Sequence, residues 1–124
     1  MKDTEKALNE ELSRHFVGQG QRLAMMGKLV LAVIKMSTVN FAQLALVINP
    51  LVKVDSNFKR VQRFVREYSF CQRCFVRFAW ALYGSEGSWV ALSMDRTNWK
   101  FGKADINILT IGISLGGTAV PLVW

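Results

Sequence analysis

The sequence predicts an α+β chain, helical through its first two thirds and built of consecutive strands in its last third. Three observations point there. Apolar residues recur near a 3.6-residue period up to about Gly84; Asn, Asp and Ser stand where helix starts are expected; and the stretch after Gly84 turns to β-branched apolar runs with a Gly116-Gly117 pair between them. With 124 residues, 51% hydrophobic and 20% charged, the chain can bury a core and is not disordered by composition. It has room for one ordinary domain, or for a helical domain joined to part of another.

Taken in order, residues 3–17 form a first helix, with Ala7, Leu8, Leu12 and Phe16 near the helical period. Gly18-Gln-Gly20 interrupts it. Residues 22–36 form a second helix carrying Leu23, Met26, Leu29, Val30, Val33 and Ile34, and Met25 and Met26 read as core filler. Asn40-Phe-Ala-Gln43 has the capping-box arrangement, in which Asn40 accepts from the backbone and Gln43 reaches back; the short helix it opens ends at Asn49-Pro50. Asp55-Ser56-Asn57 offers caps for a helix over 56–67, and Ser69-Phe-Cys-Gln72 for one running to about Leu82, with Gly84 as a stop. Strands are expected at 89–95, 106–114 and 118–124, the last two joined by a Gly-Gly hairpin.

Cys71 and Cys74 are the only cysteines and His15 the only histidine, too few ligands for a tetrahedral zinc site. The favoured reading is two small buried hydrophobes, with a redox or metal role as the alternative. No signal peptide is visible. The apolar run 29–34 is bounded by Lys28 and Lys35, far short of a membrane span, so a cytoplasmic protein with no membrane partner is expected.

The formal charge is +7, and its placement is uneven. Between Lys53 and Arg77 stand Lys59, Arg60, Arg63, Arg66 and Arg73 against only Asp55 and Glu67. That concentration suits a polyanion; a merely soluble basic protein is the alternative. A short helix, a Pro-containing turn and a basic helix at 56–67 resemble a helix-turn-helix, whose second helix enters the major groove. A stripe of Phe58, Val61, Val65 and Tyr68 would hold that helix on its neighbours, leaving Lys59, Arg60, Gln62, Arg63 and Arg66 for phosphates and base edges. The bland alternative is a solvated face.

At SMDRTNWKFGKADINILTIGI the chain resembles the DDE transposases of bacterial insertion sequences, specifically insertion sequence family four. The residues that carry this are Leu92-Ser93-Met94-Asp95-Arg96-Thr97-Asn98-Trp99, then Asp105-Ile106-Asn107-Ile108-Leu109, then Val120-Pro121-Leu122-Val123-Trp124. Thr38-Val39-Asn40-Phe41 and Phe58-Lys59-Arg60-Val61-Gln62-Arg63-Phe64 are similar to that family's N-terminal DNA-binding region, so the likeness runs from about residue 25 to the end.

The resemblance implies a helical DNA-binding region at 1–84, followed at 85–124 by the first strands of an RNase H-like catalytic sheet. It makes Asp95, at a strand end, the first carboxylate of a metal-binding triad. In the intact family two Mg²⁺ (or Mn²⁺) ions held by such carboxylates drive DNA cleavage and strand transfer at element ends. It also implies that Arg96, Asn98, Trp99 and Lys100 contact DNA beside that site; the alternative is a packed Trp99 among solvated neighbours. The departure is that the second Asp and the Glu are missing, and Asp105 does not match a catalytic position. The expectation is therefore a truncated transposase portion that binds insertion-sequence DNA weakly at best and does not catalyse. The alternatives are a non-enzymatic DNA-binding regulator, or an inactive remnant that self-associates through an unfinished sheet edge.

Overall fold

The computed structural model describes residues 2–18, 20–83 and 89–124. It is α+β: five helices, α1 (Lys2–His15), α2 (Gly20–Met36), α3 (Phe41–Val47), α4 (Val54–Glu67) and α5 (Gln72–Tyr83), precede β1 (Leu92–Phe101), β2 (Ala104–Leu115) and β3 (Thr118–Val123). The chain divides into two compact units, the first ending at Phe70 and the second spanning Cys71–Trp124. The sequence reading drew its boundary at 84–88 and gave the last helix to the helical region. The Gly84 stop and that junction lie outside the described residues, and α5 packs with the sheet because Ala79 shares a core with Ile113 and Leu122.

In the first unit, Ala32, Leu44, Ile48 and Val61 form the centre where α2, α3 and α4 meet, surrounded by Met25, Leu29, Val33, Met36, Phe41 and Val47. Burying Leu44, Ile48 and Val61 contributes about 1.5–3 kcal/mol each. α1 lies against α2, where Gly27 admits it closely: a Cβ there would collide with Asn9 Oδ1. Lys28 of α2 also reaches Glu5 of α1 at 3.9 Å.

Helix starts follow local chemistry, with three departures from expectation. Asn40 caps α3 as predicted, its Oδ1 accepting from Ala42 N–H at 2.9 Å and Gln43 N–H at 3.4 Å. The Asn40 N–H, however, donates to Thr38 Oγ1 (3.1 Å), so Thr38 fills the part expected of Gln43. α4 starts at Val54, ahead of the anticipated Asp55–Asn57 caps, and its cap residue Lys53 makes no side-chain capping bond. α5 starts at Gln72, and its first turn is met by Cys71 instead of Ser69: Cys71 Sγ accepts from Cys74 N–H at 3.2 Å.

The two cysteines are not packed thiols. They are joined in a disulfide across Cα atoms 5.2 Å apart, and both are half-buried. The turn opening a helix brings positions i and i+3 within bridging distance, which the Cys-x-x-Cys spacing satisfies.

The second unit holds a three-stranded antiparallel sheet in the order β1-β2-β3. β1 runs on through Asn98 and Trp99 to Phe101, where the sequence reading ended its strand at residue 95. Gly102-Lys103 then closes a two-residue hairpin, Phe101 pairing with Ala104. Gly102 has φ +62° at the first turn position, as type II′ turns require. Gly116 and Gly117 both have positive φ, closing the expected second hairpin between Leu115 and Thr118. The β2–β3 register slips between Ile111 and Gly112, skipping Leu122, which is buried against Ile113 and Ala79.

Candidate nucleic-acid interface

Two things position α4: a buried apolar contact and a buried amide. Val61 is fully buried in the core, and one turn earlier Asn57 is 1% exposed. Asn57 Nδ2 donates to Asn49 O (2.8 Å), Ala45 O (3.0 Å) and Val52 O (3.5 Å), spanning the turn at residues 48–53 that joins α3 to α4. Asn49 tightens the same turn from within, its Oδ1 accepting from Leu51 N–H at 3.1 Å. The inward stripe of α4 is therefore Asn57, Val61, Phe64 and Tyr68. Val65, expected on it, is 51% exposed. Residues 57, 61, 64 and 68 follow one another at spacings of four, three and four, so they share one face of α4.

With that face fixed, Lys59, Arg60, Gln62, Arg63 and Arg66 are all exposed. Arg66 pairs with Glu67 at 3.2 Å on the surface. Tyr68, half-buried and stacked on Phe64 (centroids 4.9 Å, planes 25° apart), has its phenol pushed up from the ordinary value by burial, with the Arg22 guanidinium acting in the opposite direction.

The residues predicted on the sheet are split. Asp95 pairs with Thr110, and Arg96, Asn98 and Lys100 with Leu109, Asn107 and Asp105. Strand alternation sends Arg96, Asn98 and Lys100 to one face and Asp95, with Trp99, to the other. Asp95 thus sits within a strand, not at a strand end, and the basic residues expected beside it point away from it. Its Oδ1 accepts from Arg96 N–H at 2.8 Å, while Arg96 Nη2 donates to Asn107 Oδ1 at 3.1 Å. Trp99 is 66% exposed, not packed.

The donor set around Asp95 does not fit a pair of Mg²⁺ ions. Asp105 is opposite Lys100, five residues along β1, about 17 Å away and on the other face. Among the described residues, no three His, Cys, Asp or Glu side chains converge as metal ligands. His15 bonds Glu11 at 3.0 Å instead. No single helix among the described residues is long and apolar enough to cross a membrane.

Comparison with known proteins yields no relative. No family model matches the chain, and neither does a curated protein or a solved structure.

Sequence reasoning missed Asn57 as a tether and Arg22 as a neighbour of α4. The first was not legible because Asp55-Ser56-Asn57 reads as a cluster of helix caps, whereas α4 starts at Val54 and Asn57 lies inside it, one turn before Val61. The second depends on how α2 and α4 pack, and no local pattern reports it.

Proposed function

We propose that the helical unit is a DNA-binding module, with α4 as the recognition helix and α3 crossing the backbone, in a protein related to insertion-sequence transposases of the DDE type. The observation that supports this reading is the division of α4: Asn57 and Val61 are sunk in the core while Lys59, Arg60, Gln62, Arg63 and Arg66 are left in solvent. A helix held this way can press one face into the major groove. There Arg offers paired donors to guanine, Gln a donor and an acceptor to adenine, and Lys a point charge to phosphate. The partner is duplex DNA, with the ends of an insertion sequence as the target class. In the second unit, Arg96, Asn98 and Lys100 on β1 are themselves donors of the kind that contact phosphate.

No cleavage step is assigned to this chain. A lone carboxylate supplies too few oxygen ligands to hold two metal ions. This favours a binding role that occupies DNA without cutting it.

Fluorescence anisotropy with a labelled duplex, over roughly 50 to 200 mM salt, tests the binding. Affinity should fall linearly on a log–log plot, and Arg60→Ala or Arg63→Ala should weaken it. Salt-independent or absent binding would sink the reading. Incubation with supercoiled DNA and Mg²⁺ or Mn²⁺ tests the rest: nicking abolished by Asp95→Ala would overturn the non-catalytic assignment.

A further inference from the structure

The basic surface of α4 continues onto a second helix. Between the first turn of α2 and the last turns of α4 lies an open groove of about 240 Å³, with Arg22 on one wall and Arg60, Arg63, Phe64, Glu67 and Tyr68 on the other. Arg60, Arg63, Phe64 and Glu67 follow one another at helical spacings of three, one and three, so they share a face. Arg22 stands across from them, close enough to the Tyr68 phenol to influence its ionisation.

The charge in this groove is not balanced. Among the described residues, Arg22, Arg60 and Arg63 form no ion pair. Glu67 is the one carboxylate on the wall, and it is engaged by Arg66, which points elsewhere on α4. The first turn of α2 carries no acidic residue to offset the positive end of its helix dipole. Three exposed guanidinium groups from two helices facing one hollow constitute a surface that wants an anion, and their planar forks match phosphate oxygens. The stacked Phe64–Tyr68 pair gives the groove a stiff apolar wall.

We propose that this groove between α2 and α4 seats a backbone phosphate of bound DNA, gripped by Arg22 from α2 together with Arg60 and Arg63 from α4. This rests on the DNA-binding reading and extends it: α2, which lies outside the helix-turn-helix, becomes part of the interface. The phosphate would pin α4 in register on the duplex from its C-terminal end, leaving Lys59 and Gln62 free for other contacts.

The full-length chain is titrated against a fluorescein-labelled duplex over the same salt range, as wild type and as Arg22→Gln, Arg22→Lys, Arg63→Gln and the Arg22→Gln/Arg63→Gln double variant. Arg22 is exposed, so circular dichroism should be unchanged in every variant. Arg22→Gln should weaken binding roughly three- to tenfold at the low-salt end and flatten the salt slope by about one. Arg22→Lys should restore most of the slope. The double variant should lose less than the product of the single losses, because both side chains hold one anion. Wild-type affinity and slope in Arg22→Gln, alongside weakened Arg63→Gln, would overturn the groove while leaving DNA binding by α4 intact. A wild-type chain with no salt-dependent binding would overturn both.

Discussion

Asn57 Nδ2 donates to the carbonyl of Asn49 at 2.8 Å, so a side chain inside α4 holds the turn that leads into it. The same amide reaches Ala45 O at the end of α3. One buried group therefore sets the angle between the two helices that carry the proposed DNA contacts. Removing it should take a donor from each of those carbonyls, although Asn49 O keeps Val52 N–H at 3.2 Å, and should cost about 1–3 kcal/mol. Asn57→Ala should lower the urea midpoint of the helical unit. Asn57→Asp should lower it further, since a carboxylate sets oxygen against oxygen. An Asn57→Ala chain as stable as wild type would show that the tether is dispensable.

Gly112 is where β3 crowds β2. A Cβ there would stand 2.7 Å from Val120 O and 3.1 Å from its carbonyl carbon, both backbone atoms beside the register slip. Backbone cannot swing aside as a flexible side chain does. Gly112→Ala should therefore cost roughly 1–3 kcal/mol. Gly102→Ala, at a hairpin position with open space around it, should cost only the positive-φ strain of about 1–2 kcal/mol. Thermal unfolding followed by near-ultraviolet circular dichroism ranks the two, and equal midpoints would contradict the crowding.

Cys71 does two things at the start of α5, bridging to Cys74 and capping the helix. The variants separate them. Cys71→Ser keeps a capping oxygen and loses the bridge, while Cys71→Ala loses both. Closing so short a loop contributes about 2 kcal/mol, and the cap adds about 1 kcal/mol. Midpoints should fall in the order wild type, Cys71→Ser, Cys71→Ala. Dithiothreitol should lower the first and leave the other two unmoved.

Tyr68 ties stability to alkaline pH. Burial raises its folded-state pKa, so the folded chain holds the phenolic proton more tightly than the unfolded chain does. The stability linked to it is whole below the unfolded value near 10 and is lost as pH rises toward the folded value. Tyr68 should give a late phase in absorbance at 295 nm. Tyr68→Phe should remove that late phase and its share of the alkaline loss. Arg22→Gln should move the phase to still higher pH.

By itself the sequence determined the order of elements, five helices and then strands, because helical periodicity, Asn40 as a cap and the Gly116-Gly117 turn are local signals. The exposed basic set on α4 was legible for the same reason: charges at Lys59, Arg60, Arg63 and Arg66 avoid any buried stripe, whichever phase the stripe takes. Only the tertiary structure decided the rest. It drew α5 to the sheet, because Ala79 finds its apolar partners in Ile113 and Leu122. It turned Asn57 inward and Val65 outward, since packing against α3 and the turn after it selects which face of α4 is buried. It placed Asp95 within a strand, facing away from Arg96, Asn98 and Lys100, because pairing with β2 carries β1 on to Phe101 and alternation then splits these residues between faces. It brought Arg22 opposite Arg60 and Arg63, residues nearly forty positions apart that only helix packing can make neighbours.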